Sequence, residues 1–180
     1  MKNMKLTFSL TLVALSTLMV SAQAWQWGLR GGAINSMNPQ RSQDFNNINH
    51  ITTDQAGNIY TLGPVGSVGL QVDGHPLVAY SAYSPGSTTD ILVSSFKPDG
   101  SFRWAKVIGG SSDDIGQSIS TDNMGNVYVS GMVLNTPYNP PYNQLHFDTD
   151  TIIPHYTTTD SLQKIMFMIQ YDTAGTFQWL

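Results

Sequence analysis

The apolar positions of this chain fall in short runs separated by turn-forming residues, and within the runs their period is two. Val127 and Val129 fall on one face and Tyr128 on the other, the alternation of a strand. Asp54-Gln55-Ala56-Gly57-Asn58 and Asp122-Asn123-Met124-Gly125-Asn126 sit between such runs. In each, the Asp side chain can cap its own turn, and Gly supplies a positive φ that other residues resist. Ile91 to Phe96 and Phe102 to Ile108 flank Pro98-Asp99-Gly100 as a second kind of hairpin. Ile165 to Tyr171 carries almost no polar residue, which predicts a strand buried on both faces.

These motifs recur. Ile51–Gly63 aligns with Ile119–Gly131 at a constant offset (122 − 54 = 68), matching Asp54, Gly57, Asn58, Tyr60 and Gly63 with Asp122, Gly125, Asn126, Tyr128 and Gly131. Phe96–Trp104 aligns with Tyr171–Trp179 (179 − 104 = 75), matching Gly100 and Trp104 with Gly175 and Trp179. Trp25-Gln26-Trp27-Gly28-Leu29-Arg30-Gly31-Gly32 echoes Phe102–Gly110 and its glycine pair Gly109-Gly110, a third, partial copy. Internal repetition selects a repeat architecture. One unit supplies about four short antiparallel strands, the content of a propeller blade. The fold expected is therefore all-β, with β-propeller-type blades in an incomplete ring of about two. Two longer stretches, Pro64 to Thr89 and Met132 to Gln163, read as insertions. They are either binding loops or inert variable ones. Pro137-Tyr138-Asn139-Pro140-Pro141-Tyr142 cannot pair as a central strand, because Pro lacks the donor.

Composition supports this reading and adds a compartment. The chain has no Glu, and is rich in Asn, Asp, Gly, Ser and Thr. Lys2 and Lys5 precede a mostly apolar stretch from Leu6 to Val20, followed by Ser21-Ala22-Gln23-Ala24, the layout of a cleaved signal peptide over 1–24. Cleavage after Ala22 and after Ala24 both fit. The expected location is secreted or cell-surface, with no membrane span after cleavage and the repeat region at 25–180. The mature charge is 6 − 12 = −6, with the basic residues scattered, so nucleic acid is an unsuitable partner. With no Cys, no disulfide can staple an exported chain, and stability rests on burial and strand pairing.

Asp99-Gly100-Ser101-Phe102-Arg103-Trp104-Ala105-Lys106, then Gly109-Gly110-Ser111-Ser112-Asp113-Asp114, then Asp122–Gly131 resembles the SBBP β-propeller repeat of secreted bacterial proteins. The resemblance implies a propeller on an exported or surface protein of the kind common in Bacteroidetes-type bacteria, where a separate C-terminal sorting domain directs type IX secretion. This sequence departs from that pattern. It shows no such domain, the first copy lacks the aspartate pair, and it stops at Trp179-Leu180, inside what the middle copy marks as a strand. A propeller closes with roughly four to eight blades. The expectation is a truncated product whose sheet stack is completed by missing blades or by self-association.

No pattern marks an active site. Asp113 and Asp114 are the candidates for a Ca²⁺ site, against a reading as turn-capping aspartates, and extended backbone would point the two to opposite sides. Asp148 and Asp150 are a second, similar pair. His50, His75, His146 and His155 lack zinc-ligand spacing. Val65-Gly66-Ser67-Val68-Gly69 misses the nucleophile elbow at its first position. No catalytic residue and no cofactor is assigned. The aromatics Trp27, Trp104, Trp179, Tyr60 and Tyr128 read as inter-blade core in preference to a ligand platform. Two functions stay open: a non-catalytic scaffold or binding surface for extracellular protein or glycan, and the opening of a larger secreted hydrolase or lyase.

Overall fold

The computed structural model describes residues 31–34, 47–66, 68–80, 88–110, 112–135, 144–147, 152–154 and 163–180. The segment assigned to the signal peptide, Trp25, Trp27, the 137–142 proline run, Asp148, Asp150 and His155 lie outside them. In chain order the strands are β1 (Gly31–Ile34), β2 (His50–Thr53), β3 (Ile59–Val65), β4 (Val68–Val72), β5 (His75–Pro76), β6 (Asp90–Phe96) and β7 (Phe102–Ile108). They continue as β8 (Ile115–Thr121), β9 (Val127–Asn135), β10 (Gln144–His146), β11 (Ile152–Pro154), β12 (Gln163–Tyr171) and β13 (Phe177–Trp179). Among the described residues there is no helix.

Two four-stranded antiparallel sheets dominate, ordered β2-β3-β6-β7 and β8-β9-β12-β13. Both are meanders, and their registers repeat as the sequence does. Thr53 pairs with Ile59 and Thr121 with Val127 across the first hairpin of each sheet. Phe96 pairs with Phe102 and Tyr171 with Phe177 across the second. The second offset exceeds the first by 75 − 68 = 7, so the insertion between β9 and β12 is longer than that between β3 and β6. Pro64 sits within β3, opposite Ile91, but β2 pairs only as far as Leu62. Pro64 therefore falls where β3 has a neighbour on one side alone, the position a residue without a ladder donor can occupy.

Meander topology sends all four tight turns to one end of the sheets. The insertions and the Gly109–Asp114 connector emerge at the other, the connector end. The first blade turns Tyr60, Leu62, Ile91, Val93, Trp104 and Ile108 towards the second, which answers with Ile119, Val127, Val129, Phe167, Ile169 and Tyr171. These form one core, and burying each large side chain is worth about 1.5–3 kcal/mol. The opposite face of the first blade is covered too. Leu70, Leu77 and Ala79 pack on Val65, Leu92 and Val107, and His75 stacks on Phe102 at 4.1 Å. The β4–β5 hairpin thus runs along that face, and with β1 it makes a three-stranded sheet, β1-β4-β5.

One expectation is corrected here. β12 is buried on one face only, since Met166 and Met168 are exposed while Phe167, Ile169 and Tyr171 are buried. Its counterpart β6 does have cover on both faces, from the second blade and from the β4–β5 hairpin. Trp179 is likewise exposed, whereas its repeat partner Trp104 is buried. A repeated sequence motif has a different burial because its neighbour differs.

Candidate binding surface at the connector end of the blades

The tight-turn end is built for structure. Asp54 Oδ1 accepts the Asn58 N–H at 2.9 Å, and its Oδ2 accepts from Asn58 Nδ2 and the Tyr60 hydroxyl, both at 2.8 Å. Asp122 repeats this with Asn126 and Tyr128 and also caps the Met124 N–H. Burial raises the Asp54 carboxyl, but the bonds from Asn58 and Tyr60 outweigh it and leave it below its ordinary value. The bond from Asn126 likewise lowers Asp122. Gly57, Gly125 and Gly175 take φ of 78°, 82° and 80°. A Cβ on Gly125 would meet Thr173 Cγ2 at 2.6 Å. Gly63 lets the chain leading into β2 pass close, at the backbone oxygen of Asn47, and Gly131 does the same for the start of β8, at that of Ile115. The repeated residues therefore close turns and pack blades together.

The connector end brings together polar groups that lie far apart in the sequence. Asp90, at the start of β6, and Asp114, just before β8, are fully buried on either side of Gly109. A Cβ on Gly109 would run into Asp90 Oδ1 and come within 2.7 Å of Asp114 Oδ2, so only glycine lets both carboxyls approach. Asp114 ties three segments together. Oδ2 accepts the Gly110 N–H at 2.8 Å, Oδ1 accepts the Leu134 N–H at 2.9 Å, and its own N–H donates to Thr89 O. Asp90 Oδ2 accepts the Tyr80 N–H at 2.6 Å. Burial pushes the Asp114 carboxyl up to about 8, with the Asp90 charge adding to the rise and the Leu134 N–H opposing it.

Asp113 points the other way, exposed, with Oδ1 accepting the Thr89 N–H at 3.1 Å. The two Ca²⁺ candidates thus diverge, and both cap backbone donors. Among the described residues no three His, Cys, Asp or Glu side chains gather as a metal site. His50 and His75 are exposed.

His146 is different, and its spacing to other residues offered no signal for it. β10 brings it back to the connector, where Gly109 and His146 exchange both backbone hydrogen bonds at 2.9 and 2.8 Å. Its ring lies parallel to Tyr80 at 3.8 Å. Burial holds the imidazole below its ordinary value, and its Nδ1 is buried without a hydrogen bond. Leu145 and Phe147 on either side sink into the inter-blade core, and the Tyr171 hydroxyl donates to Phe147 O. Tyr80 belongs to the first insertion and His146 to the second, so the two insertions meet in one surface.

Two meandering four-stranded blades packed face to face, with tight turns at one end and insertions at the other, define a β-propeller-type repeat protein. Residues 103–138, from β7 to just past β9, match the family described as Beta-propeller repeat, SBBP. No curated protein matches the chain. Among the described residues no helix is long and apolar enough to cross a membrane.

Proposed function

We propose that this chain is a non-catalytic, exported β-propeller repeat segment whose connector end serves as a binding surface for extracellular protein or glycan. The observation that supports this most is the joining of the two insertions through the Tyr80–His146 stack. Loops on a repeat scaffold are where recognition concentrates, and here residues from separate blades form one platform. The buried carboxyls beneath it are engaged by backbone N–H groups and serve to hold the platform in shape. Export through the 1–24 signal and cell-surface display, with type IX secretion as the route, complete the reading.

Two measurements test it. N-terminal sequencing of the exported protein should begin at Gln23 or Trp25. The purified chain should be retained on an array of extracellular polysaccharides and peptides. Tyr80→Ala should lose that retention while the chain still unfolds cooperatively in urea, at a midpoint lowered by the lost packing. Depolymerisation of any arrayed polysaccharide, or retention indifferent to Tyr80, would overturn the reading.

A further inference from the structure

Two Asp–Gly pairs occur in the chain, Asp73-Gly74 and Asp99-Gly100. In such a pair no side chain on the second residue shields its nitrogen from the preceding carboxyl carbon. The fold puts the two pairs in opposite circumstances.

Asp99-Gly100 is held. Asp99 Oδ1 accepts the Ser101 N–H at 2.9 Å and the Ser101 hydroxyl at 2.7 Å. The Gly100 N–H donates to Lys97 O at 2.9 Å, and Gly100 is buried. Carboxyl and nitrogen are both tied, and three hydrogen bonds must break before they can meet.

Asp73-Gly74 is open. It forms the two-residue loop of the β4–β5 hairpin, between the paired residues Val72 and His75. Both loop residues are exposed, with φ of 50° and 78°, the left-handed pattern of a tight hairpin loop. Among the described residues Asp73 alone takes a positive φ without being glycine. That conformation crowds its Cβ against the following carbonyl oxygen. Nothing lies within 4 Å of a Cβ built on Gly74, so the peptide plane between the two residues has room to turn. No hydrogen bond among the described residues ties the Asp73 carboxyl or the Gly74 N–H.

We propose that Asp73 is a site of spontaneous aspartyl-to-isoaspartyl conversion, through a cyclic imide formed with Gly74. The Gly74 nitrogen attacks Asp73 Cγ. The N–Cγ bond forms as a carboxyl oxygen leaves as water, taking the amide proton with it. Water then adds back to the imide. Addition at Cγ restores aspartate, whereas addition at the Asp73 main-chain carbonyl breaks its bond to Gly74 N and leaves the chain running through Cβ and Cγ. Nothing is oxidised or reduced, and water is the co-reactant. The product lengthens the loop by one main-chain carbon. Loop length sets hairpin register, so the Val72–His75 pairing is lost. His75 is then drawn off Phe102, on which it stacks at 4.1 Å, and the hairpin covering the first blade slackens at its tip.

The test is to age the purified chain at neutral pH in heavy-oxygen water. Isoaspartate is then assigned by isoaspartyl methyltransferase labelling and peptide mapping, with the heavy oxygen marking newly formed product. Conversion at Asp73 should be at least about tenfold faster than at Asp99, the ratio that a barrier lower by ~1.4 kcal/mol imposes. In urea the two rates should converge, because the fold is what separates them. The isoaspartyl form, isolated by chromatography, should lose the ring-current shift that Phe102 gives the His75 imidazole. A rate at Asp73 no greater than at Asp99 in the folded chain overturns the proposal. An unchanged His75 shift in the isoaspartyl form overturns the change of register.

Discussion

Gly125 and Gly69 both lie at positive φ, 82° and 63°, yet they have different tasks. No atom lies within 4 Å of a Cβ added at Gly69, whereas one at Gly125 would collide with Thr173 of the neighbouring turn. Alanine at Gly69 should therefore lose only the backbone preference, about 1 kcal/mol. Gly125→Ala should lose clearly more in a urea titration, because the turn must move as well. Asp122→Ala should lower the urea midpoint, since it removes the side-chain acceptor of the Met124 and Asn126 N–H groups of a tight turn. The Asp99 turn shows the motif adapting. Lys97 occupies the usual aspartate position, and Asp99 caps the Ser101 N–H at 2.9 Å in its place.

Among the elements, the insertions behave as straps. Gly31 and Gly32 pair with β4 of the first blade's insertion, and Gly109 pairs with His146 in β10 of the second's. Each blade's insertion thus reaches back to the glycine pair that precedes that blade. Asp114 secures the second of these crossings, and its titration should be visible in stability. Its folded value is raised from 3.8 to about 8, so the folded chain binds this proton more tightly than the unfolded one. This group's contribution is full below 3.8 and is lost as pH rises towards about 8. Asp114→Asn turns an amide donor towards one of two N–H groups and should destabilise by about 1–3 kcal/mol in acid solution. The gap to wild type should narrow at alkaline pH, where wild type must hold a charge beside Asp90 and Asp113 and the variant need not. Equal gaps at both pH values would show that Asp114 does not titrate in this window.

At the scale of the whole molecule, the two repeat tryptophans should separate. Trp104→Ala empties the inter-blade core and should cost about 3–5 kcal/mol in urea unfolding. Trp179→Ala removes a side chain from an open face and should change stability by no more than about 1 kcal/mol. Comparable losses would mean that the second blade's far face is already covered in solution.

The strand pairs, the turns and the blade content were legible in the sequence, because alternation and turn chemistry act over a few residues. Asp54, Gly57, Asn58 and Tyr60 close one turn wherever they occur, and they do so again at Asp122. Burial was not legible in the same way. Trp104 and Trp179, or β6 and β12, share a motif and differ in what lies against them. Nor did spacing bring Asp90 to Asp114 across Gly109, or Tyr80 to His146. Those meetings join segments tens of residues apart, and only the packing of two blades and the return of their insertions puts them in contact. Local stereochemistry wrote the repeat into the chain, and tertiary packing decided which copies became core and which became surface.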